Sequence, residues 1–178
     1  MLRYLKGTIE LGLVYGGNVA GGNLEGFVDA SFADDTHQRK STTGYVFIFN
    51  GAAISWSSKL QSLVALSSQE AEYIAACAAT REASHLRALL QDIGLDQEEA
   101  TYIGEDNMAC IKLAETTGLT DRTKHIAVQF HYVREKVQRK EIKLVHVPTA
   151  RMVADALTKN LGRIKFGEHR CVMLGNME

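Results

Sequence analysis

Three short strand-like runs follow one another between residues 24 and 57, and the last two meet at Asn50-Gly51. No other feature constrains the fold as strongly. A two-residue hairpin turn of type I′ needs positive φ at both central positions, which Asn-Gly tolerates, and it forces the flanking runs to pair antiparallel. The runs are 24–31, 44–49 and 53–57. After them the spacing changes. A long helix is predicted over 67–93, ending before Gly94, then a strand at 101–105 and a helix from about residue 107. Residues 122–139 have helical spacing, with Ile126, Phe130, Val133 and Val137 on one face. A strand at 142–147 is stopped by Pro148, the only proline, and Thr149 is placed to cap a final helix to about residue 160. The first 23 residues read as a helix end, a short strand around 12–15 and a joint flanked by Gly16-Gly17 and Gly21-Gly22. Hairpin-built strands followed by alternating helices and strands imply an α/β fold, a mixed sheet with helices on its faces. Several folds share that order.

With 178 residues, 46% of them hydrophobic, the chain can build one domain with a real core. A net charge of -1 excludes a globally basic nucleic-acid coat. Contact with nucleic acid must come from local patches, or through metal ions that neutralise a carboxylate site. Cys77, Cys110 and Cys171 form no CxxC, so neither a disulfide framework nor a zinc knuckle is indicated, and a reducing compartment fits. The six histidines lack zinc-ligand spacing. The N-terminal residues lack the apolar core of a signal peptide, and no apolar run is long enough to span a membrane.

The acidic residues are more informative. Asp29 interrupts the strand Phe27-Val28-Asp29-Ala30-Ser31, where a carboxylate is expensive to bury unless it is paired or binds metal. Asp106 follows the strand at 101–105 directly, and Asp155 lies in the final predicted helix. The long helix offers Glu70 and Glu72. Ser67-Ser68-Gln69-Glu70 fits a capping box, with Glu70 reaching back to Ser67. Glu72 points about 200° around the helix from Glu70, above Ala76, Ala79 and Ala83, a stripe small enough to approach a sheet closely. Glu70 is therefore assigned to structure and Glu72 to chemistry. A lone acid is usually a cap or a solvated charge. Four that can converge suit a pair of magnesium ions roughly 3.5–4 Å apart, clamping the two oxygens of a phosphodiester displacement.

These residues sit in longer recognisable stretches. They include Val28-Asp29-Ala30-Ser31-Phe32-Ala33, Arg39-Lys40-Ser41-Thr42-Thr43-Gly44-Tyr45 and Ile54-Ser55-Trp56-Ser57-Ser58-Lys59-Leu60-Gln61. Further along come Ala65-Leu66-Ser67-Ser68-Gln69-Glu70-Ala71-Glu72-Tyr73, Glu105-Asp106-Asn107, Arg122-Thr123-Lys124-His125-Ile126 and Ala154-Asp155-Ala156-Leu157-Thr158-Lys159. In these the chain resembles the ribonuclease H domain of copia-type LTR retrotransposon Pol polyproteins. The resemblance implies a ribonuclease H-like fold with a five-stranded mixed sheet flanked by helices. It implies a metal site of Asp29, Glu72, Asp106 and Asp155 holding two Mg2+, with Mn2+ able to substitute. The implied activity is two-metal hydrolysis of the RNA strand of an RNA–DNA hybrid during reverse transcription. Residues 1–23 are then the end of the upstream reverse-transcriptase region and a linker, 24–162 the ribonuclease H domain and 163–178 a C-terminal tail. The expected setting is intracellular, in a cytoplasmic virus-like particle or the nucleus, with no membrane partner.

Arg39, Lys40, Arg122, Lys124 and His125 are candidates for phosphate contacts, and Ser41, Thr42 and Asn107 for hydrogen bonds to sugar or phosphate. Trp56 and Tyr73 are assigned to the core rather than to base stacking. Two positions depart from the family. No His stands between Pro148 and Asp155, where many ribonucleases H carry a mobile one, and Thr120 replaces a frequent His. A decayed copy serving as a binding or spacer module is the alternative reading, which the intact carboxylates oppose. An integrase-like enzyme is opposed by the spacing and by the Ala-Asp-Ala-Leu-Thr-Lys ending.

Overall fold

A computed structural model of the chain describes residues 2–16, 22–116 and 127–176. Three strands open the domain: β1 (Glu25–Ser31), β2 (Thr42–Phe49) and β3 (Ala52–Leu60). Asn50 (φ 52°) and Gly51 (φ 92°) make the expected turn between the last two. Helix α2 (Ser68–Asp92) follows, then β4 (Thr101–Glu105), α3 (Met108–Glu115), α4 (Ala127–Gln138) and β5 (Ile142–His146). The strands form one sheet in the order β3-β2-β1-β4-β5. Pairing is antiparallel for β1–β2 and β2–β3, parallel for β1–β4 and β4–β5. The sheet is thus five-stranded and mixed, and the long connections that parallel neighbours require are supplied by the helices.

Helix α2 packs on β1 through small side chains. Ala71, Ala75, Ala76, Ala79 and Ala83 are all buried, and they bring the helix close to the central strand. Larger residues from the sheet and from α4 fill the same core, including Val28, Phe47, Ile103, Phe130, Val133 and Ile142. Burying each is worth roughly 1.5–3 kcal/mol. Tyr73 is buried as expected and stacks on Phe130 with ring centroids 3.9 Å apart. Trp56 is not in the core: it lies in β3, 58% exposed.

The opposite face of β2 carries a second, smaller cluster of Val46, Ile48, Ala53 and Val153, with Leu157, Val172 and Met173 packed against it. It is here that the structure corrects the sequence reading. No α-helix starts at Thr149. Two 3-10 turns, Thr149–Arg151 and Val153–Leu157, replace it, and the Thr149 hydroxyl donates to Asp106 Oδ2 (2.9 Å) instead of capping. A real helix, α5 (Arg163–Leu174), lies where the sequence leads one to expect only a C-terminal tail over 163–178. The start of the chain holds α1 (Leu2–Lys6). The expected strand around residues 12–15 is an extended segment outside the sheet. Its backbone bonds go singly to different elements, Val14 N to Leu174 O and Gly16 N to Asn50 O, so no ladder forms.

Candidate carboxylate metal centre

Strand β1 lies in the middle of the sheet, so a side chain on its covered face is shut away from water. Asp29 is fully buried (0% exposed) and stands directly opposite Gly44 of β2. A Cβ at Gly44 would come within 2.5 Å of Thr158 Cγ2, 3.0 Å of Leu157 Cβ and 3.2 Å of the Ala154 carbonyl. Glycine there is what lets the turn carrying Asp155 press against the sheet beside Asp29.

Glu72 is buried in the first turns of α2, and Asp106 is half-buried immediately after β4. Carboxylate oxygens of Asp29, Glu72 and Asp106 all lie within 4.8 Å of one another. Burial raises the Glu72 pKa to about 10, reinforced by the charges of Glu105, Asp29 and Asp106. Burial likewise raises Asp29, although hydrogen bonds from Thr158 and Lys159 pull it back. Glu72 Oε2 is buried without a hydrogen-bond partner among the described residues. Converging hard oxygens, a raised proton affinity and an orphaned buried oxygen fit a divalent cation such as magnesium.

Sequence reasoning missed Glu105. It ends β4 with 0% exposure, accepts the Asn107 amide at 3.0 Å through Oε1, and leaves Oε2 unpartnered among the described residues. Burial first, then the charges of Asp106 and Asp29, raise its pKa to about 8. The alternation of Thr101, Ile103 and Glu105 along β4 is the signal that could have placed it inward.

Asp155 is not part of the trio. It is 1% exposed on the second 3-10 turn, and it is held by two lysines: Lys159 Nζ donates to Oδ1 (2.9 Å) and Lys165 Nζ to Oδ2 (2.6 Å). Lys159 also donates to Asp29 Oδ1 (3.0 Å), and the Thr158 hydroxyl donates to Asp29 Oδ2. Of the four expected carboxylates, three converge and the fourth is tied to them through Lys159. Burial on its own would lower the Lys159 pKa; the hydrogen bonds and charges of Asp155 and Asp29 outweigh it and hold the ammonium protonated.

Glu70 has the structural role assigned to it. Its amide donates to Ser67 Oγ (3.1 Å), and its Oε2 accepts from Leu66 N (2.9 Å), one residue further back than a capping box requires. The substrate candidates divide. Ser41 is buried and its hydroxyl accepts the Ala33 amide, so it serves the loop rather than a ligand. Thr42 donates to Asp34 (3.0 and 2.9 Å), and Asn107 caps α3 through Ala109 N and Cys110 N. Arg39 is exposed at positive φ and Lys40 is half-buried on the same turn before β2. Arg122, Lys124 and His125 lie outside the described residues.

No protein-family model matches the chain. Over 166 residues, 93% of its length, it is 45% identical to the retrovirus-related Pol polyprotein from transposon TNT 1-94 of Nicotiana tabacum. It is 37% identical over 167 residues to the retrovirus-related Pol polyprotein from transposon RE2 of Arabidopsis thaliana. The chain spans only 12% and 11% of the length of these relatives. Among solved structures, LC11-RNase H1 isolated from compost superposes with a TM-score of 0.59 at 16% identity, covering 77% of this chain and 93% of that one. LC11-RNase H1 in complex with RNA/DNA hybrid gives 0.56 at 13% identity, covering 76% of this chain and 94% of that one. At such identities the likeness is one of fold.

Proposed function

Because the chain belongs with the copia-type transposon Pol polyproteins, as a segment with the ribonuclease H fold, we propose that it is an endoribonuclease that hydrolyses the RNA strand of RNA–DNA hybrids. The observation that carries this reading is the buried convergence of Asp29, Glu72 and Asp106 at the edge of the central strands. Those three residues would hold Mg2+, or Mn2+ in its place, with Asp155 close by through Lys159. The bound metal would supply charge neutralisation at the scissile phosphate and a more acidic water, at two ions in the full arrangement.

The protein's own contribution is preorganisation. Asp29 is fixed by the sheet, Glu72 by the alanine-faced helix and Asp106 by the start of α3, so none has to be ordered when the phosphate arrives. Arg39 and Lys40 supply positive charge on the turn before β2, a suitable contact for backbone phosphates. Discrimination of RNA from DNA would rest on 2′-hydroxyls, and sequence preference would be weak. In the polyprotein, residues 1–23 would lead out of the polymerase region, and the work would be done inside the cell, in a particle or the nucleus.

The test is cleavage of a labelled RNA strand in a hybrid, beside a DNA duplex of the same sequence. Cutting of the hybrid alone, dependent on Mg2+ or Mn2+ and abolished by Asp29→Asn, is expected. Undiminished cleavage in excess chelator, or equal cutting of the DNA duplex, would refute the proposal.

A further inference from the structure

Asp29 and Asp155 carry like charge, are 0% and 1% exposed, and come from opposite ends of the domain. One side chain joins them. Lys159 Nζ lies 3.0 Å from Asp29 Oδ1 and 2.9 Å from Asp155 Oδ1. The lysine sits one turn beyond Asp155, and its backbone amide donates to the Asp155 carbonyl (2.9 Å), so the reach of the ammonium is set by the turn itself. Its side chain is 37% exposed, which allows the stem to swing toward solvent without opening the core. Lys165 neutralises the far oxygen of Asp155, and its other bond goes to the Thr149 carbonyl rather than to Asp29. On the other side of the cluster, Glu72 Oε2 has no hydrogen-bond partner among the described residues. The site therefore has one half already answered by a built-in cation and one half with a buried, unpartnered carboxylate oxygen.

We propose that Lys159 is the resident cation of this centre: a positioning residue that joins Asp29 to Asp155 in place of one divalent ion and yields that position when the ion is bound. The inference rests on the metal-dependent reading above. It follows that the metal-free fold leans on Lys159, while metal affinity is lowered by it, because the ammonium and the divalent ion compete for the same oxygens. A lysine with a purely structural role would do the first and not the second.

The experiment compares the full chain with Lys159→Met and Lys159→Arg, by thermal melting in chelator and in saturating Mg2+, and by calorimetric Mg2+ titration. In chelator, Lys159→Met should melt several degrees below the parent, and Lys159→Arg close to it. In Mg2+ the gap should close, and Lys159→Met should bind Mg2+ roughly fivefold more tightly, the scale of coupling expected for a partly exposed ion pair. A gap that is the same with and without Mg2+, or an affinity that is unchanged or weaker, would overturn the proposal. If Lys159→Met does not fold in chelator, Mg2+ should restore the fold; failure to refold in Mg2+ is equally fatal. A parent protein that binds no Mg2+ at all would remove the metal-dependent reading itself, an outcome distinct from the others.

Discussion

Replacing Glu72 by Gln should make the metal-free protein more stable at pH 8 while destroying the site. Glu72 ordinarily titrates near 4.5, and burial with three neighbouring carboxylates raises it to about 10 in the fold. The folded chain therefore keeps a proton that the unfolded chain releases, so stability is present at low pH and is lost as pH rises from about 4.5 toward 10. One such proton contributes a slope of about 1.4 kcal/mol per pH unit. Between pH 6 and 8 the parent should lose roughly 1–3 kcal/mol from this group, the lower end allowing for relaxation around the buried pair with Glu105. Glutamine does not titrate, so Glu72→Gln should lack that part of the slope, already exceeding parental stability at pH 6 and exceeding it by a wider margin at pH 8. Mg2+ should stabilise the parent and leave the variant unmoved, because a neutral amide is a poor ligand for magnesium. The assay is urea unfolding at pH 6, 7 and 8, in chelator and in Mg2+. A variant with the parent's full pH slope, or with the parent's Mg2+ response, would refute the electrostatic account of the site.

Gly44→Ala should be destabilised by about 1–3 kcal/mol, the usual range for overpacking, because the added methyl meets Thr158, Leu157 and the Ala154 carbonyl. By moving Lys159 away from Asp29 it should also tighten Mg2+ binding, because the ammonium competes for the same oxygens, and unchanged melting and titration curves would contradict that. Glu70→Gln should keep the Ser67 cap and the bond to the Leu66 amide, losing no more than about 1 kcal/mol and most of its hybrid cleavage should remain. A dead Glu70→Gln beside a normally cutting Glu72→Gln would move the catalytic assignment to Glu70.

Much of the sheet is legible in the sequence because its signals are local. Asn50-Gly51 specifies the hairpin, Ser67 and Glu70 mark the start of α2, and residues 101–105 form a strand with the boundaries expected. Asp29, Glu72 and Asp106 are legible for other reasons: Asp29 interrupts an apolar strand, Glu72 lies above the alanine stripe of its helix, and Asp106 directly follows a strand. The region after Pro148 resisted because its conformation is set by packing on β2 and by bonds to Asp106 and Asp29, which no local period encodes. Thr149 looks like a cap until its hydroxyl has a better partner 43 residues away. Lys159 is hidden in the same way. On the sequence it is one charge after a threonine, and only the closed fold reveals that it stands between two buried acids.

The Lys159–Asp29 bridge also sets an order of events in time. Its two ends are 130 residues apart in the chain. A ribosome adding about 5–20 residues per second needs on the order of ten seconds to cross that interval. Throughout it, β1 has its aspartate but not the lysine that answers it. Contacts of such long sequence separation close late and slowly. The nascent domain therefore passes through a stage in which the acids of the early strands and helices exist without the lysine that bridges them in the fold, and the carboxylate centre is completed only once Lys159 has been made.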